Sequence, residues 1–234
     1  MIDINCDLGE GLHNEHMIMP LISSCNISCG AHAGSIEIID KVIQLAVQHN
    51  VKIGAHPSFP DRQNFGRKVL NISNSKLQKS LEDQLTVFKE RALLQDATIH
   101  HVKPHGALYN LIAVNREKAS VVIAAIQHVF EAVKLYVPYK SSIEEVAAQS
   151  GLEIVYEAFA DRRYNEDLSL VSRTLSNALI VDKYEVSKQV QKISDKQLVT
   201  TVNLNEKEIK ASTFCVHGDT KNAIELLQYL HKHL

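Results

Sequence analysis

Short apolar, β-prone runs alternate with longer amphipathic segments from one end of the chain to the other. The runs are IDIN (2–5), CNISC (25–29), VKIGAH (51–56), TIHHV (98–102), AVKLYV (132–137), EIVYEAF (153–159) and STFCVH (212–217). After the second, Ile36, Ile39, Val42, Ile43, Ala46 and Val47 recur at the i, i+3, i+4 spacing of a helix face. Leu77, Leu81, Leu85, Phe88 and Ala92 form another stripe over 75–94, with Ser75 and Gln78 placed as a capping box. A helical stretch is predicted over 107–129 and a short helix from Ser141 and Glu144 to Gly151. A closing helix begins at Asp219, read as its N-cap. Strands separated by helices run parallel, because a crossover of that length lies across a face of the sheet. The pattern therefore predicts an α/β fold, either a barrel or an open doubly wound sheet. The stretch 162–210 is less regular, with a helix near 183–194, and is read as an insertion at the edge. No repeat or linker interrupts 1–234, so one domain is expected.

Composition narrows the function classes. Lys and Arg total 25 against 27 Asp and Glu, a net charge of −2 that gives no bulk field for nucleic acid or anionic lipid. Apolar runs such as VVIAAI (121–126) fall far short of the ~20 residues a membrane helix needs. The opening MIDINCDLGE is acidic and polar, unlike a secretory signal, and four cysteines do not describe a disulfide scaffold. A cytoplasmic protein acting on a small molecule, with no nucleic-acid or membrane partner, is the expectation.

Chemistry in parallel α/β folds collects at the carboxyl ends of the strands. Here those ends read Asn5-Cys6-Asp7-Leu8-Gly9-Glu10-Gly11, Cys29-Gly30-Ala31-His32-Ala33-Gly34, Ala55-His56-Pro57, Lys103-Pro104-His105-Gly106, Ala160-Asp161-Arg162 and Cys215-Val216-His217-Gly218-Asp219. Pro57 and Pro104 keep His56 and Lys103 extended, so the Lys103 ammonium is expected to project over the strand ends. Singly, each polar residue has a structural reading. Asp7 suits an Asx-turn, Asp219 a helix cap, and His32, His56, His105 and His217 suit satisfied structural histidines. Their convergence on one rim points instead to a functional site. His13, His16, His49, His128, His231 and His233 fall outside that rim and are expected to be solvated.

Asp7, His32 and His56 would suit a divalent metal with a position open to water, though no local spacing such as HExxH supports it. Cys25 and Cys29 lack a second cysteine pair and read as core thiols. There is no G-x-S-x-G and no P-loop, and Asn14 interrupts the dinucleotide pattern begun by Gly9 and Gly11. The binding place of any nucleotide is therefore unknown from motifs.

The segments INCDLGEG (4–11), NISCGAHAGS (26–35), GAHPSFPDRQNFGR (54–67), HVKPHGALYN (101–110), FADRRY (159–164), LVSR (170–173) and CVHGDT (215–220) resemble, in order, the motifs of the LamB/YcsF family. The characterised activity of that family is that of the A subunit of bacterial 5-oxoprolinase. The resemblance spans residue 2 to the final helix, and implies a distorted parallel (β/α) barrel of the glycoside hydrolase/deacetylase type. It also implies opening of 5-oxo-L-proline to L-glutamate, with ATP as co-substrate and 5-oxoprolinase subunits B and C as partners. A homo-oligomer is compatible with it. The family's usual CGFHAGD reads CGAHAGS here, with Ala31 and Ser35; the segment after Gly11 is shorter than usual; and Ser172 stands where a Pro usually precedes Arg173.

For such a reaction the expected catalytic residues are Asp7, His32, His56, Lys103, His105 and Asp161. Asp7 or Asp161 would act as base, and His32 or His56 as proton donor. Lys103 with His105 would stabilise developing charge or hold phosphate. Asn5, Glu10, Tyr109, Arg162, Arg173 and His217 are the expected substrate contacts, with Arg162 or Arg173 gripping a carboxylate. Two other readings stay open. One is a metal-dependent deacetylase or amidohydrolase on Asp7, His32 and His56 that needs no ATP. The other is a non-catalytic subunit that presents substrate to its partners.

Overall fold

A computed structural model describes residues 2–234. Its strands are β1 (Asp3–Leu8), β2 (Ser24–Ser28), β3 (Lys52–His56), β4 (Ile99–Val102), β5 (Lys134–Pro138), β6 (Ile154–Phe159), β7 (Leu198–Thr200), β8 (Glu206–Glu208) and β9 (Thr213–Cys215). Strands β1 to β6 and β9 close into a parallel barrel, with β9 seated between β6 and β1. Closure settles the choice between barrel and open sheet. The helices are α1 (Glu15–Ile18), α2 (Ile36–Gln48), α3 (Asn74–Leu93), α4 (Gly106–Val114), α5 (Arg116–Val129), α6 (Ser142–Gln149), α7 (Lys183–Lys196) and α8 (Ala223–His233). No helix among the described residues is long and apolar enough to cross a membrane.

Each barrel strand divides its residues between two environments at period two. Ile4, Cys6 and Leu8, with Ile53, Ala55, Leu135, Val137 and Phe214, join the apolar faces of the helices in one buried cluster. The α3 stripe Leu77, Leu81, Leu85, Phe88 and Ala92 lies in it as expected; on α2 the end residues Ile36 and Val47 are exposed instead. The intervening strand residues are polar and meet inside the barrel. Asn5 donates to Thr213 Oγ1 (2.9 Å), Asn26 donates to Asn5 Oδ1 (2.8 Å), and the Tyr136 hydroxyl reaches Ser24 on the far side (3.2 Å). A barrel interior is more often filled by branched apolar side chains. This one is a hydrogen-bonded network.

Several local expectations change. The stretch 107–129 is two helices, because Asn115 turns extended (φ −121°, ψ 102°), ending α4 and capping α5 by accepting from Lys118 N. Ser73, not Ser75, caps α3. Ser35 caps α2 through Ile38 N, so a serine in place of the family's Asp keeps a capping oxygen at that position. Asp219 does not cap the last helix; it lies upstream of α8 and pairs with Arg67 and Arg173. The stretch 162–210 does carry α7 and a separate β7–β8 hairpin, but its Leu170–Thr174 segment walls the barrel mouth.

One glycine is fixed by close approach. A Cβ on Gly54 would lie 2.1 Å from His101 Nε2. That ring cannot swing aside: it stacks on Tyr136 at 3.8 Å and donates to Asn26 Oδ1 at 2.7 Å. Gly54→Ala is therefore expected to destabilise by about 1–3 kcal/mol, the range for overpacking a tight interior. Urea melts test this; a change under about 0.5 kcal/mol, as for a surface substitution, would show that His101 yields freely.

Candidate active site

A cavity of about 400 Å³ opens at the carboxyl end of the barrel, lined by Asp7, His56, Lys103, His105, Arg162 and His217 among others. Lys103 reaches the strand ends as expected, but it is sealed from solvent. It is 2% exposed, with Nζ 3.0 Å from Asp7 Oδ1, 2.8 Å from Glu157 Oε1 and 3.1 Å from Cys215 Sγ, and it lies over the Phe159 ring. Burial alone would lower its pKa, but Asp7 and Glu157 push it well above the ordinary value, so it is an ammonium. Burial likewise works against the Asp7 carboxylate, yet His56 and Lys103 outweigh it and hold the group well below the usual range. Asn26 fixes Asp7 Oδ1 at 2.8 Å, and Asp7 Oδ2 lies 3.5 Å from His56 Nε2. With that partner on β2, Asp7 makes no Asx-turn.

Beside this pair, His32, His56 and His105 gather around Glu10. Glu10 Oε1 lies 3.0 Å from His32 Nε2, 3.3 Å from His105 Nδ1 and 3.8 Å from His56 Nε2. The His32 and His105 rings stack at 3.8 Å, and His56 meets His105 edge-on. The covering loop needs Gly66, whose Cβ would press on His105 Cδ2 and His32 Cβ at 3.0 and 3.1 Å in a left-handed backbone (φ +61°). Burial, helped by His56, drives His32 down to about 2, and burial drives His105 well below its ordinary value. Both shifts favour the neutral ring, which weighs against His32 as the proton donor expected from the sequence. Burial, with Asp7 nearby, raises Glu10.

Across the cavity stands a second device. Asp161 is fully buried; Oδ1 accepts from His217 Nδ1 (2.9 Å), and Oδ2 accepts from His217 N (3.0 Å) and the Thr220 hydroxyl (2.6 Å). With its oxygens so engaged Asp161 is not a free base. It orients His217, which stacks on Phe159 and lines the cavity. Arg173 is committed to Asp219, as is Arg67. Arg162 is 5% exposed and makes no ion pair among the described residues. Its Nη2 donates to Val171 O, and its Nε has no acceptor.

The convergence on one rim thus holds in two layers. Asp7, His56, Lys103, His105, Tyr109, Arg162, Arg173 and His217 line the cavity, whereas His32, Asp161, Asn5 and Glu10 stand behind them as supports. Of the residues foreseen as a metal set, His32 and His56 gather with Glu10 and His105, whereas Asp7 pairs with Lys103. The six histidines expected to be solvated are exposed. All four cysteines are buried and free, and burial pushes Cys25 and Cys29 up to about 12. Glu157, Asn26 and Arg67 are not marked by the strand-end pattern; a lone Glu or Asn within an apolar strand is the signal for the first two.

A profile of the LamB/YcsF family matches residues 2–234. The chain belongs to the LamB/YcsF family. A relative from Bacillus cereus (strain B4264), named as the A subunit of 5-oxoprolinase, is 38% identical over 99% of this chain and 94% of its own length. One of the same name from Staphylococcus aureus (strain MRSA252) is 41% identical over 95% of this chain and 91% of its own. The crystal structure of a lactam utilization protein from Thermus thermophilus superposes with a TM-score of 0.92 at 31% identity, covering 99% of this chain and 94% of that one.

In this LamB/YcsF barrel the Asp161 carboxyl is held below its ordinary pKa: burial opposes ionisation, but His217 and Thr220 outweigh it. A depressed folded-state pKa stabilises the fold above the unfolded value, about 3.9, and that contribution is lost as pH falls through the lower folded one. Asp161→Asn should therefore be less stable than the parent at neutral pH, and the gap should narrow in melts below about pH 4. A gap independent of pH would show that the ionised carboxylate is not what His217 and Thr220 stabilise.

Proposed function

We propose that this chain is the A subunit of an ATP-dependent 5-oxoprolinase, opening the lactam of 5-oxo-L-proline to L-glutamate as ATP becomes ADP and phosphate. Subunits B and C are its proposed partners. The names of the relatives support the substrate class, and one feature of the cavity carries the reading: Arg162 is a buried guanidinium with unspent N–H donors and no carboxylate of its own. A small cyclic amide bearing a carboxylate would satisfy it, with two parallel charge-assisted hydrogen bonds. Arg173, already held by Asp219, is the weaker candidate.

A five-membered lactam is an unactivated amide. Transfer of the ATP γ-phosphoryl group to its oxygen would make the ring carbon electrophilic. Water then adds to that carbon, the carbon–nitrogen bond breaks with a proton going to nitrogen to leave an acyl phosphate, and a second water hydrolyses that acyl phosphate to L-glutamate and phosphate. Asp7 is the group to take the proton from water, since it is ionised and faces the cavity. His217, its Nδ1 held by Asp161, is placed to hand a proton to the ring nitrogen from Nε2, as a carboxylate-oriented imidazole does in hydrolytic triads. The Lys103 ammonium would stabilise negative charge developing at the lactam oxygen.

The test is glutamate release from 5-oxoproline by the purified chain, alone and with subunits B and C, with and without ATP. Release only with the partners and ATP is expected; equal release without ATP would overturn the reading. Arg162→Lys should then raise KM for 5-oxoproline by about tenfold or more, the cost of losing one hydrogen bond to a charged group.

A further inference from the structure

The imidazoles around Glu10 each turn one nitrogen outward to a fixed oxygen and the other inward to the cluster. His56 Nδ1 lies 2.6 Å from the Lys103 carbonyl and His105 Nε2 lies 2.9 Å from the Phe65 carbonyl, so each of these nitrogens carries a hydrogen and donates. His32 Nδ1 lies 2.9 Å from Ser58 Oγ, whose own hydrogen goes to the Phe59 carbonyl, so His32 Nδ1 donates as well. With those nitrogens committed outward, His32 Nε2, His56 Nε2 and His105 Nδ1 are the ring nitrogens left facing inward. Those nitrogens meet each other and a carboxylate oxygen: His56 Nε2 and His105 Nδ1 are 2.9 Å apart, and His32 Nε2 is 3.0 Å from Glu10 Oε1. Four groups able to ligate a metal thus turn toward one point.

We propose that Glu10, His32, His56 and His105 form a binding site for one divalent transition-metal ion of the zinc class. The ligand atoms of all four lie within 4.8 Å of one another. Bonds of about 2.0–2.1 Å in a tetrahedron place ligands about 3.3 Å apart. Here the His56–His105 separation and the three distances from Glu10 Oε1 to the imidazoles run from 2.9 to 3.8 Å. Each imidazole also has an outer acceptor of the kind that fixes metal-ligating histidines: two backbone carbonyls and a serine oxygen. Gln84 of α3 reinforces the last, accepting from Ser58 N and donating to Ser58 O, both at 2.9 Å. His32 stacks flat on His105, so its ring must tilt to aim its lone pair at a shared ion. Because His56 and His105 line the cavity, the ion would sit behind its wall, next to Asp7.

The rival arrangement is two protons, one between His56 and His105 and one between Glu10 and His32. Untagged full-length protein, stripped with chelator, separates the two when titrated with Zn²⁺ by calorimetry and with Co²⁺ by absorption. One equivalent of each, with the visible bands of four-coordinate cobalt, is expected. Glu10→Gln should weaken binding by at least about a hundredfold and Ser58→Ala by about ten- to a hundredfold, the range for losing an outer-shell partner. Should Glu10→Gln fail to fold by circular dichroism, Ser58→Ala carries the comparison. A His231→Gln/His233→Gln control removes exposed histidines and should bind as the parent does. Absence of saturable binding, or unchanged affinity in Glu10→Gln and Ser58→Ala, would overturn the site. None of these readouts uses turnover, so the outcome is independent of the proposed lactam chemistry.

Discussion

One ammonium sealed inside a closed barrel sets the terms for the surrounding structure. Lys103 is buried where an unpaired charge would cost several kcal/mol, and it is met by Asp7 from β1, Glu157 from β6 and the face of Phe159. Neither carboxylate would be tolerable there alone. Removing the ammonium would strand both, a change of about 3–5 kcal/mol for breaking a buried pair. Since the partners come from strands that are not neighbours of β4, the interaction ties the barrel across its interior. The Asn5, Asn26 and His101 hydrogen bonds continue that tie one layer deeper. An apolar filling would stabilise at least as well by burial. The polar one holds charged groups in fixed positions at the mouth, as charge stabilisation during a reaction requires.

The supports follow a common logic, in which the groups facing the cavity are held by buried groups that do not. Asp161 and Thr220 set His217 and the Phe65 carbonyl sets His105, while behind them Ser58, gripped by Gln84, sets His32. The scaffolding comes from rigid elements and from turns pinned to them, which limits the slack in the first layer. Arg162 is the exception. Its backbone is fixed by a bridge to Leu179, while its side chain lines the cavity with Nε left without an acceptor.

Much of this is legible in the sequence, and what is not has physical causes. Period-two and helical patterns place the barrel strands and the long α3 stripe, because those patterns are local. The break at Asn115 is hidden because apolar residues continue on both sides, and only the asparagine marks the new cap. Asn26 and Glu157 lie inside their strands, away from the strand ends where chemistry is expected. Yet Asp3, Asn5 and Asp7 on β1, and Ser24, Asn26 and Ser28 on β2, alternate at the pleat's period, which already signals a polar interior. The depth of Lys103 and the partners of Asp219 depend on residues distant along the chain. Proline geometry fixes the backbone of Lys103 but not where its side chain ends, and a cap is only the local option for an aspartate.

Asp7 is where the two halves of the mouth meet. One of its oxygens belongs to Lys103 and Asn26, while the other faces His56 at 3.5 Å. Unit charges about 4 Å apart interact by about 4 kcal/mol at the effective dielectric of a protein site, equivalent to nearly three pKa units. A positive charge gained by the histidine cluster, whether proton or metal, would therefore reach Asp7 almost undiluted and weaken it as a base. A negative charge arriving opposite Lys103 would do the reverse. The basicity of Asp7 is thus set jointly by the ammonium, the occupant of the cluster and the substrate, and Asp7 is the natural point at which binding on either side is felt by the other.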